Sequence, residues 1–297
     1  MKTDVSFTSA HQTLAAHLYL PDSYQEGIQL PAVVVTGAWT TVKEQMPSTY
    51  AEALADRGYA ALVFDFRGWG QSPDAISFLE DPTRKTEDIN AAVNYLASLP
   101  QIDPARIAGL GVCASAGYMS DTALQNPHIK SLALVAPWLH DRGIVNTVYG
   151  GEEGVAQLIE LSRQAQLSTT PMVIEAASLS NEQALMYQAP YYTEPERGLI
   201  PEYDNQFNVA SWEAWLSYDA LTTADQLKKP TLLVHSESAA IPQGAKEYAH
   251  RMGENAKTLW LDNVTQFDFY DQPDIVDTAV DAVNQHFVET LNLNGKH

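Results

Sequence analysis

The chain has little sulfhydryl chemistry to offer: one cysteine, Cys113, in 297 residues. No intramolecular disulfide can form, so cysteine usage gives no sign of an oxidising compartment. Basic residues are scarce as well. Seventeen Lys and Arg stand against 37 Asp and Glu, for a formal net charge of −20. Nucleic acids and anionic membrane surfaces attract basic patches, so this balance argues against both as partners. Long hydrophobic runs are also missing. The opening MKTDVSFTSAHQTLAAHLYL has no apolar core of the kind a secretory signal needs, and no run approaches the roughly 18 apolar residues of a membrane span. The eight histidines are scattered without metal-ligand spacing. The glycine-rich GLGVCASAG lacks the lysine–hydroxyl ending of a phosphate loop. The expectation is a cytoplasmic protein with a small-molecule substrate and no metal or cofactor.

What is present is a core. Hydrophobic residues make up 45% of the chain, and they recur in short, nearly continuous runs: PAVVVTG (31–37), YAALVFDF (59–66), RIAGLGV (106–112), SLALVAPW (131–138), TLLVHS (231–236) and KTLWLD (257–262). Unbroken apolar runs of this length suit parallel strands covered on both faces. Amphipathic stretches at 48–58, 85–100 and 274–291 alternate with them and end on Gly58, on Pro100 and near the C-terminus. VSFTS and TLAAHLYL alternate as an edge hairpin would. Strand–helix alternation predicts a doubly wound α/β sheet. Residues 139–222 break the rhythm with helix-prone, Tyr- and Trp-rich sequence. They read as a cap inserted after the sixth strand, leaving residues 1–138 and 223–297 as the core.

The chemistry concentrates in GLGVCASAGY (109–118), a strand-to-helix turn offering two nucleophiles, Cys113 and Ser115. Either fits a pattern in which small flanks let the chain turn sharply. The segments VTGAWTTVKEQMPSTYAEALADRGYAALVFDFRGWGQS, RIAGLGVCASAGY, APWLHD and FDFYDQP resemble the bacterial α/β-hydrolases related to dienelactone hydrolase and the Xaa-Pro dipeptidyl-peptidase-like domain. That resemblance implies an α/β-hydrolase fold with the nucleophile two residues after Gly111, at Cys113, and Ser115 in the first helical turn. It implies an oxyanion hole from the Ala114 amide and that of Ala38 or Trp39. The helix start after the elbow is expected to favour the thiolate.

The resemblance also exposes two departures. In NVTQFDFYD (263–271), Gln266 stands where the catalytic histidine belongs, and glutamine cannot take a proton at neutral pH. In HSESAAIP (235–242), Ser238 occupies the usual aspartate spacing, and Glu237 is the nearby carboxylate. His140, beside Asp141, and Glu44, in VKEQM, are further candidates; each has an equally ordinary structural reading. The sequence therefore points to an ester, lactone or thioester hydrolase, or an acyl transferase, working through Cys113 with an incomplete triad. The rival is a non-hydrolytic protein using the same pocket, either a ligand-binding pseudoenzyme or a lyase or cyclase. A homodimeric scaffold is a third reading.

Overall fold

The computed structural model describes residues 1–293. An N-terminal hairpin, β1 (Lys2–Ser9) and β2 (Gln12–Tyr19), is followed by β3 (Leu30–Thr36), α1 (Met46–Asp56), β4 (Ala60–Phe64), α2 (Pro82–Ser98), β5 (Ile102–Val112), α3 (Ser115–Gln125) and β6 (Ile129–Val135). The inserted region holds α4 (Arg142–Val148), α5 (Gly151–Leu167), β7 (Val173–Glu175), β8 (Ala177–Ser178), β9 (Met186–Tyr187), α6 (Pro190–Thr193), β10 (Gln206–Asn208) and α7 (Ser211–Ser217). The chain then returns through β11 (Thr231–Ser236), α8 (Pro242–Met252), β12 (Ala256–Leu261), α9 (Asp268–Asp271) and α10 (Pro273–Thr290).

Eight strands form one sheet in the order β1-β2-β4-β3-β5-β6-β11-β12. The hairpin runs antiparallel to β4, and β4 through β12 are mutually parallel. Right-handed crossovers put α2, α3 and α8, which step the chain one way across the sheet, on one face. The helix α1, which steps the other way, lies on the opposite face, where α10 packs against it. With both faces covered, the central strands bury almost every side chain: Val33, Val34 and Val35 of β3 and Leu132 to Val135 of β6 are wholly excluded from solvent.

One strand departs from expectation. KTLWLD reads as a buried strand, but β12 is the sheet edge, and Lys257 and Thr258 are exposed. An edge strand has a neighbour on one side only, so its apolar residues are half covered. The helix α2 starts three residues before the amphipathic pattern does, because Asp81 caps it by accepting from the Thr83 and Arg84 amides and Pro82 suits the first turn. Among the described residues, no helix is long and apolar enough to cross a membrane.

The parallel strands all point their C-terminal ends at the inserted region, and β5 delivers the elbow there. After Val112 the backbone swings through a left-handed residue, Cys113 (φ 58°), and enters α3. Gly111 makes the turn possible. A Cβ there would sit 2.8 Å from both the Ala116 Cα and the Ser115 carbonyl oxygen, backbone atoms with nowhere to move. Gly111→Ala is therefore expected to destabilise the fold by about 1–3 kcal/mol, the usual cost of overpacking, read as a lower urea midpoint.

Candidate active site

Backbone bonds hold Cys113 in its left-handed conformation, which costs an L-residue roughly 1–2 kcal/mol. Its N–H donates to the Val135 carbonyl (3.1 Å), and its carbonyl accepts from the amides of Trp138 (2.9 Å) and Ala116 (3.1 Å). The elbow is thus tied to the end of β6 as well as to α3. The thiol is turned away from the sheet. Three groups favour its charged form: the Tyr270 hydroxyl and the backbone amides of Ala114 and Trp39. Ala114 follows the elbow. Trp39 comes from the loop after β3, where the Thr41 amide and hydroxyl both donate to the Ala38 carbonyl (3.3 and 2.7 Å) and shape the turn. Of the two loop amides, those of Ala38 and Trp39, it is that of Trp39 that acts on the thiol.

Burial acts against these donors and prevails: the Cys113 thiol is pushed above its ordinary value, with desolvation the largest cause. The helix start was expected to favour the thiolate; desolvation outweighs the pull of the Ala114 amide.

Sγ opens into a cavity of about 710 Å³ between the sheet and the inserted region. Aromatic rings form its inner end, with Trp39 and Trp215 4.5 Å apart and Trp212 beside them. Leu158 and Leu161 of α5 and Ile174 of β7 line the outer part. Among the described residues, none lining this cavity carries a charged side chain, although the chain as a whole is strongly acidic.

Gln266 lines the same cavity and is anchored at both ends. Its Nε2 donates to the Ala136 carbonyl (2.9 Å) and to the Tyr270 hydroxyl (3.0 Å), and its Oε1 accepts from the Ala240 amide (3.0 Å). The partner beside position 266 is thus a backbone N–H, where a triad would have a carboxylate.

The structure does not bring the remaining candidates to the thiol. Glu237 is exposed and pairs with Lys246 and the Trp260 indole (2.9 Å). It follows the end of β11 but points along the edge strand. Ser238 is exposed in the same turn, its amide on Ser236 Oγ (3.1 Å). Glu44 pairs with Lys43 (2.7 Å) near His17, in a cluster that includes the Lys43–Asp65 pair (2.7 Å). Ser115 is fully buried under the elbow, donating to the Val112 carbonyl (3.0 Å) and accepting from Thr36 (2.9 Å), which makes it part of the turn's scaffold. His140 is buried behind the cavity wall. Its Nδ1 accepts from the Trp138 indole (3.0 Å), and desolvation lowers its pKa to about 4, so the ring is neutral.

The residue missed from sequence is Tyr270. FDFYD carries it in plain view, four residues after Gln266 and so on the same side of a helical turn. Its hydroxyl stays protonated, since burial raises its pKa far above the ordinary tyrosine value.

With one cysteine, alkylation reports on this site alone. Because the folded thiol titrates above the ordinary value, its reaction with iodoacetamide should be slow at pH 7. The rate should keep climbing beyond the pH at which a free thiol levels off. A mass-resolved rate–pH curve that levels off below pH 8 would contradict the burial argument.

Comparison with known proteins agrees with the geometry. The chain is 28% identical to the uncharacterized protein YcjY of Escherichia coli K12, over 98% of this chain and 100% of that one. The crystal structure of the hypothetical protein PA2218 from Pseudomonas aeruginosa superposes with a TM-score of 0.86 at 26% identity, covering 98% of this chain and 94% of that one. The acyltransferase drtE of Aspergillus calidoustus is 30% identical over 52% of this chain and 47% of its own length. The family model described as X-Pro dipeptidyl-peptidase (S15 family) matches residues 11–265, which takes in the elbow and stops one residue short of Gln266. The chain carries the α/β-hydrolase fold and belongs to the X-Pro dipeptidyl-peptidase (S15) family.

Proposed function

We propose that the protein is an acyl-transfer enzyme that takes an uncharged acyl group from an ester, lactone or thioester onto Cys113. The observation that carries this reading is a thiol on a left-handed strand-to-helix elbow, lining an apolar cavity without charged side chains, with two backbone amides and a tyrosine hydroxyl favouring its charged form. Sγ attacks the carbonyl carbon and the C–X bond breaks. The thiol proton departs with the leaving group as HX, and the product is an acyl-cysteine. The amides of Ala114 and Trp39 are placed to hold the developing oxyanion.

The neutral lining bears on the substrate. An X-Pro peptide presents a protonated amino terminus, and burying that charge without a partner is costly. The carboxylate whose charge is felt at Cys113 is Glu80, a buried group already committed to Lys85 (2.8 Å) and Tyr118 (2.8 Å). An uncharged acyl chain meets no such penalty. The acyltransferase drtE, by its name, performs chemistry of this type.

Discharge of the acyl-enzyme is the slower half. Gln266 cannot activate water, and no histidine faces the thiol among the described residues. Hydrolysis is therefore slow, and an acceptor with its own nucleophile is favoured over water. Mixing the protein with hexanoyl-N-acetylcysteamine should give a single hexanoyl adduct by intact-protein mass spectrometry, localised to Cys113 and absent in Cys113→Ala. Alanyl-prolyl-4-nitroanilide should remain uncleaved. Turnover that persists unchanged in Cys113→Ala would remove the thiol from the mechanism.

A second reading rests on the full anchoring of Gln266, which makes position 266 look built rather than eroded. In that case the cavity binds its ligand without covalent chemistry, as a binding protein, lyase or cyclase would. Thermal stabilisation by the thioester with no adduct on Cys113 would favour it.

A further inference from the structure

Gln266 occupies the place of a missing base, yet its hydrogen bonds have a fixed direction, and that direction has a consequence at Cys113. The Ala136 carbonyl can only accept, and the Ala240 N–H can only donate. Those two backbone groups settle which end of the amide is nitrogen: Nε2 faces Ala136 and Oε1 faces Ala240. The second Nε2 hydrogen then donates to the Tyr270 hydroxyl oxygen (3.0 Å). Having accepted from Gln266, the Tyr270 hydroxyl still has its own proton to give, and Cys113, which lines the same cavity, is the group whose titration it influences.

We propose that Gln266 is a positioning residue that sets the polarity of a relay, Ala136 C=O to Gln266 amide to Tyr270 O–H to Cys113 Sγ, and that Tyr270 is the catalytic proton donor at the thiol. This rests on the acyl-transfer reading for its use in turnover, but the relay itself is a property of the resting protein. Tyr270 favours the thiolate before attack. As the S–C bond forms and the C–X bond breaks, the hydroxyl gives its proton to the leaving-group heteroatom and takes the proton surrendered by the thiol, so that HX departs and Tyr270 ends as it began.

The scaffold around Tyr270 is rigid. The short helix α9 is tied to the core by Tyr50, which donates to the Phe269 carbonyl (2.7 Å). Arg197 of the inserted region ties it to the cap by forking onto both oxygens of Asp271 (2.7 Å each). The other titratable groups facing the pair are Tyr191 and Tyr192 of α6, whose ring centres lie 5.1 and 6.4 Å from that of Tyr270, and Tyr149 after α4. All three are neutral phenols at working pH, because burial raises each of them. Glu80 acts on the thiol from further off and stays paired with Lys85 and Tyr118.

The test is the iodoacetamide alkylation rate of Cys113 in the full chain at fixed pH 8. It needs no acyl substrate, so its outcome is separate from that of the thioester experiment. Tyr270→Phe removes the donor and should slow alkylation about ten- to a hundredfold, the worth of a hydrogen bond to a charged group. Gln266→Glu is nearly isosteric but cannot donate to Tyr270 as the amide does, so the Tyr270 proton should turn towards position 266 and alkylation should slow to a similar degree. In the Tyr270→Phe background, Gln266→Glu should then add less than about twofold, the signature of two residues acting through one path. Unchanged alkylation in Tyr270→Phe would overturn the relay. So would an undiminished Gln266→Glu effect in that background, which would assign it to direct charge repulsion at the thiol. Gln266→Met, which keeps the volume and loses both donors, serves if the glutamate variant does not fold. It should also slow alkylation, and an unchanged rate would overturn the proposal.

Discussion

The left-handed backbone at Cys113 is the constraint around which the site is built. A non-glycine residue holds that conformation only when its surroundings supply more than the conformation costs. Here they are the close approach of α3 to Gly111 and the bonds from Cys113 to Val135 and Trp138. The same bonds place the thiol at the C-terminal edge of the sheet, bring the Ala114 amide beside it, and start the inserted region from the strand next door. Loosening the elbow would displace the thiol, the Ala114 amide and the cavity wall together.

Around that point, burial and hydrogen bonding act in opposite directions. Enclosing the thiol under an apolar cap raises its pKa, while three donors pull it back. A thiol kept neutral at rest is protected from oxidation and stray alkylation. In the proposed acyl transfer, the donors would act most strongly as charge develops on the substrate oxygen. The strongly acidic composition and the uncharged lining of the cavity stand in contrast, and the proposed uncharged acyl substrate is consistent with the latter.

Much of the fold is legible in the sequence because it rests on local pattern. The continuous apolar runs of β3, β4, β6 and β11 require cover on both faces, and the helical stretches between them supply it. The edge strand β12 shows where pattern stops being sufficient. Its composition resembles that of the inner strands, and only its place in the strand order leaves Lys257 and Thr258 in water. Trp39 illustrates the same limit at the site, because the choice between two adjacent amides depends on how Thr41 folds the loop back onto Ala38.

The sequence by itself determined the α/β alternation and the elbow at residues 109–118, which follow from residue type and spacing along the chain; that Gln266 stands at a histidine position is what the family resemblance implies. The tertiary structure decided what those residues face. It turned Glu237 outward to Lys246, confined Glu44 to its cluster with Lys43 and His17, placed His140 behind the wall, and set Tyr270 in the cavity that Cys113 lines. Hydrogen-bond direction is the physical reason. Whether an amide gives or receives a proton at a given atom depends on partners such as Ala136 and Ala240, which are distant in sequence and meet Gln266 only when the sheet, the cap and α9 have assembled.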